Sequence, residues 1–252
     1  MKKLVIGERI VKSYGTGEER RVVLDGVSVD IHEGEFVAVM GPSGSGKSTL
    51  LHALSGMDTI DEGKVIFGDR ELTSTSEKEL AEIRRTRMGF VFQQPTMLRN
   101  LNLLDNIILP ALRDKRKHAT DLVARARMLM ERAGISGLEQ RDITQVSGGQ
   151  LQRAGVCRAL MNRPRIVFGD EPTGALNSRA SQEIMSLFAK VNAEGTAVML
   201  VTHDARVAAW AERILFMRDG RIVSELALSR RDGTGMEARV ERVARKMIEL
   251  NV

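Results

Sequence analysis

The stretch Gly41-Pro42-Ser43-Gly44-Ser45-Gly46-Lys47-Ser48 decides how this chain is read. It fits the pattern G-x-x-x-x-G-K-[ST]. Glycines let a backbone curl so that successive N–H groups point at phosphate oxygens. A helix that follows adds its positive N-terminal end to the same anion site. Lys47 supplies a point charge to the β- and γ-phosphates, and Ser48 a hydroxyl to Mg2+. The flanks agree with this reading. Glu35-Phe36-Val37-Ala38-Val39-Met40 is a short apolar run of the kind that forms a strand covered on both faces. Leu50, Leu51 and Leu54 carry a helical pattern after the loop. Strand, glycine loop and helix open a parallel α/β unit.

Working outward, residues 4–12 and 22–31 read as strands, with Val27, Val29 and Ile31 alternating with polar partners. Gly15-Thr16-Gly17 marks the turn between them. Val65-Ile66-Phe67 before Gly68-Asp69 is a further short strand. Ser76 and Glu79 form a capping box that opens a charged helix to about Arg85. Phe90-Val91-Phe92 is a second buried strand, and from about Thr96 to Leu160 the pattern is mostly helical. Within it, residues 119–133 place Leu122, Ala126, Leu129 and Met130 on one side. Ile166-Val167-Phe168 and Ala197–Val201 restore buried strands, so a helical insert interrupts an α/β domain. Met236, Val240, Val243, Met247 and Leu250 form an a/d-like stripe, shorter than the three or four heptads, roughly, of a coiled coil. That tail either docks on its own domain or forms a dimer seam.

The 252 residues are 42% hydrophobic and 28% charged, which excludes a disordered chain. The single cysteine, Cys157, excludes a disulfide framework and fits a reducing compartment. The four histidines are scattered, which argues against a His-based metal cluster. No run of about 18 uncharged apolar residues spans a membrane. The Met1–Ile6 start imitates a signal peptide until Gly7-Glu8-Arg9 interrupts it. The net charge is +5. Basic clusters at 84–87 and 113–117 read as solvated helix faces, or as ligands for phosphate or an anionic membrane surface. Aromatics are 4%, so stacking platforms for nucleic acid are scarce and no nucleic-acid partner is expected.

Two more segments carry chemistry. Asp170-Glu171 ends the strand at 166–168 in two carboxylates, the first suited to Mg2+, the second to an attacking water. Val146-Ser147-Gly148-Gly149-Gln150 precedes a helical pattern and is either a plain N-cap turn or a second anion site.

Together and in this order the motifs resemble the ATP-binding-cassette (ABC) ATPases, over about residues 3–225. Gly41, Pro42, Ser43, Gly44, Ser45, Gly46, Lys47, Ser48 and Thr49 match the Walker A loop. Gln93 matches the Q-loop glutamine, Ser147, Gly148, Gly149 and Gln150 the signature, Asp170 and Glu171 the Walker B pair. His203 matches the switch histidine and Tyr14 the aromatic that stacks on adenine. The resemblance implies a P-loop NTPase (RecA-like) core with an antiparallel β subdomain and an inserted α-helical subdomain. It sets the core at about 1–95 and 161–229, the helical subdomain at about 96–160, and a C-terminal helical extension at 230–252. It implies ATP and Mg2+ as cofactors, with Glu171, His203 and Gln93 catalytic and Ser48, Gln93 and Asp170 around the metal. Two ATP molecules would sit between two copies of the chain, each touching the partner's signature. One departure stands out: the family usually has Ala-Leu-Asp where this chain has Ala175-Leu176-Asn177.

Gly89–Gln94, Leu104–Ile107 and Asp170–Ser178 are similar to one subgroup: the ATPases of macrolide export, lipoprotein release, FtsE-type cell division and bacitracin-type peptide resistance. This implies an ATPase subunit that powers export or removal of such compounds through an integral-membrane permease on a separate chain. It would lie in the cytoplasm, peripheral to the membrane's inner face. The alternatives are a mechanotransmission ATPase controlling a cell-wall enzyme, and a soluble non-transport relative. The apolar segment Pro95–Leu98 with Leu101, Leu103 and Leu104 either docks the permease or packs the helical insert.

Overall fold

The computed structural model describes residues 2–113, 118–228 and 235–252. The strands are β1 (Lys3–Tyr14), β2 (Arg21–His32), β3 (Phe36–Met40), β4 (Glu62–Phe67), β5 (Arg70–Glu71), β6 (Met88–Phe92), β7 (Ile166–Asp170), β8 (Ala197–Val201), β9 (Arg213–Arg218) and β10 (Arg221–Ala227). The helices are α1 (Lys47–Leu54), α2 (Glu77–Arg87), α3 (Leu103–Ile108), α4 (Ala119–Arg132), α5 (Gly148–Leu160), α6 (Ser178–Ala193), α7 (Ala205–Ala208) and α8 (Met236–Leu250).

Two sheets carry the fold. An antiparallel sheet runs β2-β1-β4-β5, and a six-stranded sheet runs β10-β9-β3-β8-β7-β6. Strands β9, β3, β8, β7 and β6 are mutually parallel, with β10 antiparallel at one edge. Strand β3 shows why its apolar run is unbroken. Val37 and Val39 face a core shared with α1 and the antiparallel sheet, through Leu50, Leu51, Leu54, Val5 and Phe67. Phe36, Ala38 and Met40 face the opposite core, with Met130, Val156, Ile184 and Phe188. A strand buried on both faces has no polar alternation to show.

Helices α3, α4 and α5 lie between β6 and β7 in the chain, as the pattern over 96–160 predicts. In α4 the buried residues are Leu122, Ala126, Leu129 and Met130, the four that the periodicity selects. Ser76 caps α2 by accepting from Glu79 N, and the Glu79 carboxylate in turn accepts from the Ser76 hydroxyl and backbone N–H. The arginines of α2 are structural anchors: Arg84 donates to Gly56 O, and Arg85 to Pro110 O at 3.2 Å. The second basic cluster falls mostly at 114–117, outside the described residues.

The tail settles against its own core. Val243 is fully buried, and Met236, Val240, Met247 and Leu250 pack around the same cluster. Buried Arg239 donates to Ala209 O at 2.7 Å and Ala211 O at 2.6 Å, serving carbonyls at the end of α7. The segment 95–104 divides. Leu103 and Leu104 are buried in the helical cluster, while Leu98 is 48% exposed. Asn106 ties this loop down through Leu98 N and the Leu98 and Leu101 carbonyls. Among the described residues no helix is long and apolar enough to cross a membrane.

Candidate functional site

The glycine loop leaves β3 and enters α1. Gly44 and Gly46 take φ of 79° and 96°, which side chains other than glycine adopt at a cost. At Gly41 space is the constraint, because a Cβ there would lie 2.3 Å from Met217 O. Lys47, largely buried, donates to Gly41 O at 2.9 Å and Pro42 O at 2.8 Å. Its burial pulls the ammonium below the ordinary lysine range, against the opposing charges of Glu171 and Asp170. Ser45 N donates to Pro42 O, and the buried Ser45 hydroxyl has no partner among the described residues. Ser43 stands exposed at the loop tip.

Three chain-distant segments converge on this loop. The Ser48 hydroxyl donates to Asp170 Oδ1 at 2.9 Å across 122 positions of sequence. Glu171 takes φ 46°, in the left-handed region, and its N–H continues the sheet by donating to Val201 O at 3.0 Å. Such a backbone costs about 1–3 kcal/mol and persists where its surroundings enforce it. His203, just past β8, sets Nδ1 2.9 Å from Glu171 Oε1. Gln93 reaches the same place: a Cβ on Gly174 would stand 2.9 Å from Gln93 Nε2 and 3.1 Å from Glu171 Oε2.

An open cavity of about 510 Å³ continues from the loop. Gly44, Gly46, Lys47, Ser48 and Thr49 line it together with Tyr14, whose phenol also meets the Thr49 side chain. Arg21, Val22, Val23, Asp219 and Gly220 complete the wall, and the sequence reading names none of them. Gly220 wedges the β9–β10 turn into place, donating to Ser45 O and accepting from Asp25 N. A Cβ on it would lie 2.6 Å from Val23 O. Gln152 was also missed. It is buried and donates to both Phe92 O (2.8 Å) and Pro172 O (2.7 Å), joining the strand end before Gln93 to the loop after Glu171. No linear motif announces these contacts; they exist only once β6, β7 and α5 meet.

The Ser147 segment lies elsewhere. Ser147 and Gln150 form a full capping box at the start of α5, with Gly148 and Gly149 in the first turn. Ser147, Gly148 and Gly149 line a cavity of about 430 Å³ with Asn177, Arg153 and Arg179, which shares no residue with the Tyr14 cavity. Asn177 caps α6, accepting from Ala180 N at 2.9 Å. Asp would cap as well, so the departure from Asp removes a charge and not a helix start.

Hard oxygen donors suit Mg2+, which keeps several waters and needs few protein ligands. The Ser48 hydroxyl and Asp170 carboxylate, already paired, with the Gln93 carboxamide nearby, fit that requirement. Among the described residues no group of three or more His, Cys, Asp or Glu could hold a metal by itself.

A glycine loop between the central strand and a helix, with a carboxylate-ended strand two places away in the sheet, defines a P-loop NTPase. A family model described as ABC transporter matches residues 24–174. The chain belongs to that family. It is 40% identical to the macrolide export ATP-binding/permease protein MacB of Pasteurella multocida over 86% of its own length, and spans 33% of that relative. It is 40% identical to an ABC transporter ATP-binding protein of Methanocaldococcus jannaschii, covering 87% of this chain and 98% of that one. A dimeric ATP-binding cassette solved in a post-hydrolysis state with ADP and Pi superposes with a TM-score of 0.84 at 38% identity, covering 90% of this chain and 99% of that one.

Proposed function

We propose that this chain is the ATP-binding and hydrolysing subunit of a membrane ABC transporter that exports or removes antimicrobial peptides, macrolides or lipoproteins. The observation that carries the reading is the meeting of Ser48, Asp170, Glu171 and His203 at the mouth of the glycine loop. Likeness to macrolide export proteins supports the cargo class. An FtsE-type role, with ATP hydrolysis controlling a cell-wall enzyme, is the second reading, because cargo choice would reside in the permease. The chain would lie on the inner face of the membrane through that permease. Within it we assign a core at about 1–95 and 161–229, a helical subdomain at about 96–160 and an extension at 230–252.

In this mechanism the amides of the loop and the N-terminus of α1 take the phosphates. Lys47 holds two carbonyls with its ammonium, and phosphate oxygens compete for the same donors. Mg2+, held by Ser48 and Asp170 with Gln93, would neutralise phosphate charge. Glu171 accepts a hydrogen bond from the attacking water and turns its lone pair toward the γ-phosphorus. As the new oxygen–phosphorus bond forms, Glu171 takes the water's proton, the bond from the γ-phosphorus to the oxygen it shares with the β-phosphate breaks, and ADP and phosphate leave. His203 Nδ1 fixes the direction of the Glu171 carboxylate. Tyr14 stacks on the adenine.

Replacing Glu171 with Gln tests this. ATP affinity should hold while the hydrolysis rate falls about 10²–10⁴-fold, the range for loss of a general base. An unchanged rate would remove Glu171 from the reaction.

A further inference from the structure

Tyr14 is exposed to the extent of 44%, and such a ring would ordinarily turn freely. Here its neighbours fix it. The phenol donates to Asp58 Oδ2 at 2.6 Å. Lys12, two residues earlier on the same strand face, places Nζ 5.0 Å from the ring centroid. That ammonium is itself pinned, to Asp58 Oδ1 at 3.0 Å and Thr59 O at 2.6 Å, and Lys12 is only 7% exposed. Asp58 is anchored in turn: its N–H and that of Met57 donate to His52 O, in the last turn of α1. Asp61 holds the next step of the strand by accepting from Ser13 N at 2.8 Å. Burial works to raise the Asp58 carboxyl, but the Tyr14 hydroxyl and the Lys12 ammonium outweigh it and hold it below the usual carboxylate range.

We propose that Asp58 and Lys12 are positioning residues that hold the Tyr14 ring for a nucleobase, tying the base side of the cavity to the far end of the helix whose start takes the phosphates. The proposal rests on the reading of Tyr14 as the adenine platform. A ring with an ammonium against one face has one face left for a flat ligand, and Tyr14 lines the cavity that continues from the glycine loop. A side chain already immobilised loses less freedom when a base stacks on it, and this is where the gain in affinity arises. The cation on the far face also polarises the ring. Asp58 does not line that cavity; it acts through the phenol.

The test compares MgATP with inorganic tripolyphosphate, which has the phosphate chain and no base, by titration calorimetry on the full chain. Tyr14→Phe keeps the ring and removes the tether. It should weaken MgATP about three- to tenfold, the immobilisation of one side chain, and leave tripolyphosphate unchanged. Asp58→Ala should do the same, and the double variant should be no worse than either single change. Tyr14→Ala should weaken MgATP further. If Tyr14→Ala weakens MgATP but Tyr14→Phe does not, the positioning role is overturned and the stacking role survives. If Tyr14→Ala has no effect, the stacking reading falls and the proposal with it. A loss of tripolyphosphate binding in Tyr14→Phe would place the effect on the phosphate loop and also overturn the proposal.

Discussion

Single residues in this chain separate into those poised for chemistry and those placed out of its reach. Cys157 is of the second kind. It is fully buried on α5, and that burial pushes its thiol up to about 12. A thiol raised in the fold stabilises it below the unfolded value of about 8.5, and that contribution is lost as pH climbs toward the raised value. Native protein should therefore resist a maleimide at neutral pH and react fully in denaturant; rapid labelling of the native chain would contradict the burial. Asn177 is of the first kind. Its side-chain oxygen already caps α6, and Asn and Asp cap about equally. Asn177→Asp should thus leave the melting temperature unchanged or slightly raised, since a carboxylate at a helix N-terminus is favoured by about 0.3–1 kcal/mol. The added charge enters the cavity shared with Ser147 and Gly148, so steady-state hydrolysis should change a few-fold. A rate unchanged at saturating ATP would make the departure neutral.

At the scale of elements, the C-terminal helix offers the sharpest test. Its apolar stripe faces the core, with Val243 buried and Met236, Val240, Met247 and Leu250 packed around it. Arg239→Met would strip two carbonyls of their donor, costing about 1–3 kcal/mol for buried groups left unsatisfied. Val243→Asp would bury an unpaired charge and should release the helix. Hydrogen exchange should then show amides of α8 losing protection while β3 keeps its own; equal loss in both would mean that α8 is part of the global folding unit. Periodicity makes this helix legible in the sequence, as it does α4, because each has one apolar side. Strand β10 is not legible. Its residues alternate between exposed and half-buried, with Arg221, Ser224 and Glu225 among them, and pairing with β9 is what makes it a strand. Helix α6 does carry a signal in Ile184, Leu187, Phe188 and Val191, masked by the polar first turn Ser178-Arg179-Ala180-Ser181. For the candidate site, the contiguous motifs could be read directly. Gln152 and the Asp219–Gly220 turn act through space, and no motif read in the sequence includes them.

Across the whole molecule, the two anion-suited helix starts are held apart. The loop before α1 and the Ser147 cap of α5 line different cavities with no residue in common. One nucleotide on one chain therefore leaves the Ser147 site unused. Two copies arranged head to tail would bring each Ser147 to the other's phosphates, and a cassette similar to this chain has been solved as a dimer. Closure of that kind needs ATP as its filling, because the phosphates would otherwise leave two positive helix ends facing each other. Hydrolysis then ends the closed state. Glu171→Gln, with binding intact and hydrolysis stalled, should accumulate as a dimer on size-exclusion chromatography with ATP and run as a monomer without it. Lys47→Ala should stay monomeric under both conditions, since its defect lies in binding. Ser147→Arg should bind ATP and still remain monomeric, because the bulky cation stands where the partner's phosphates would enter. A Glu171→Gln protein that is monomeric with saturating ATP would sink the two-copy arrangement, and a Ser147→Arg protein that still dimerises would move the contact away from α5.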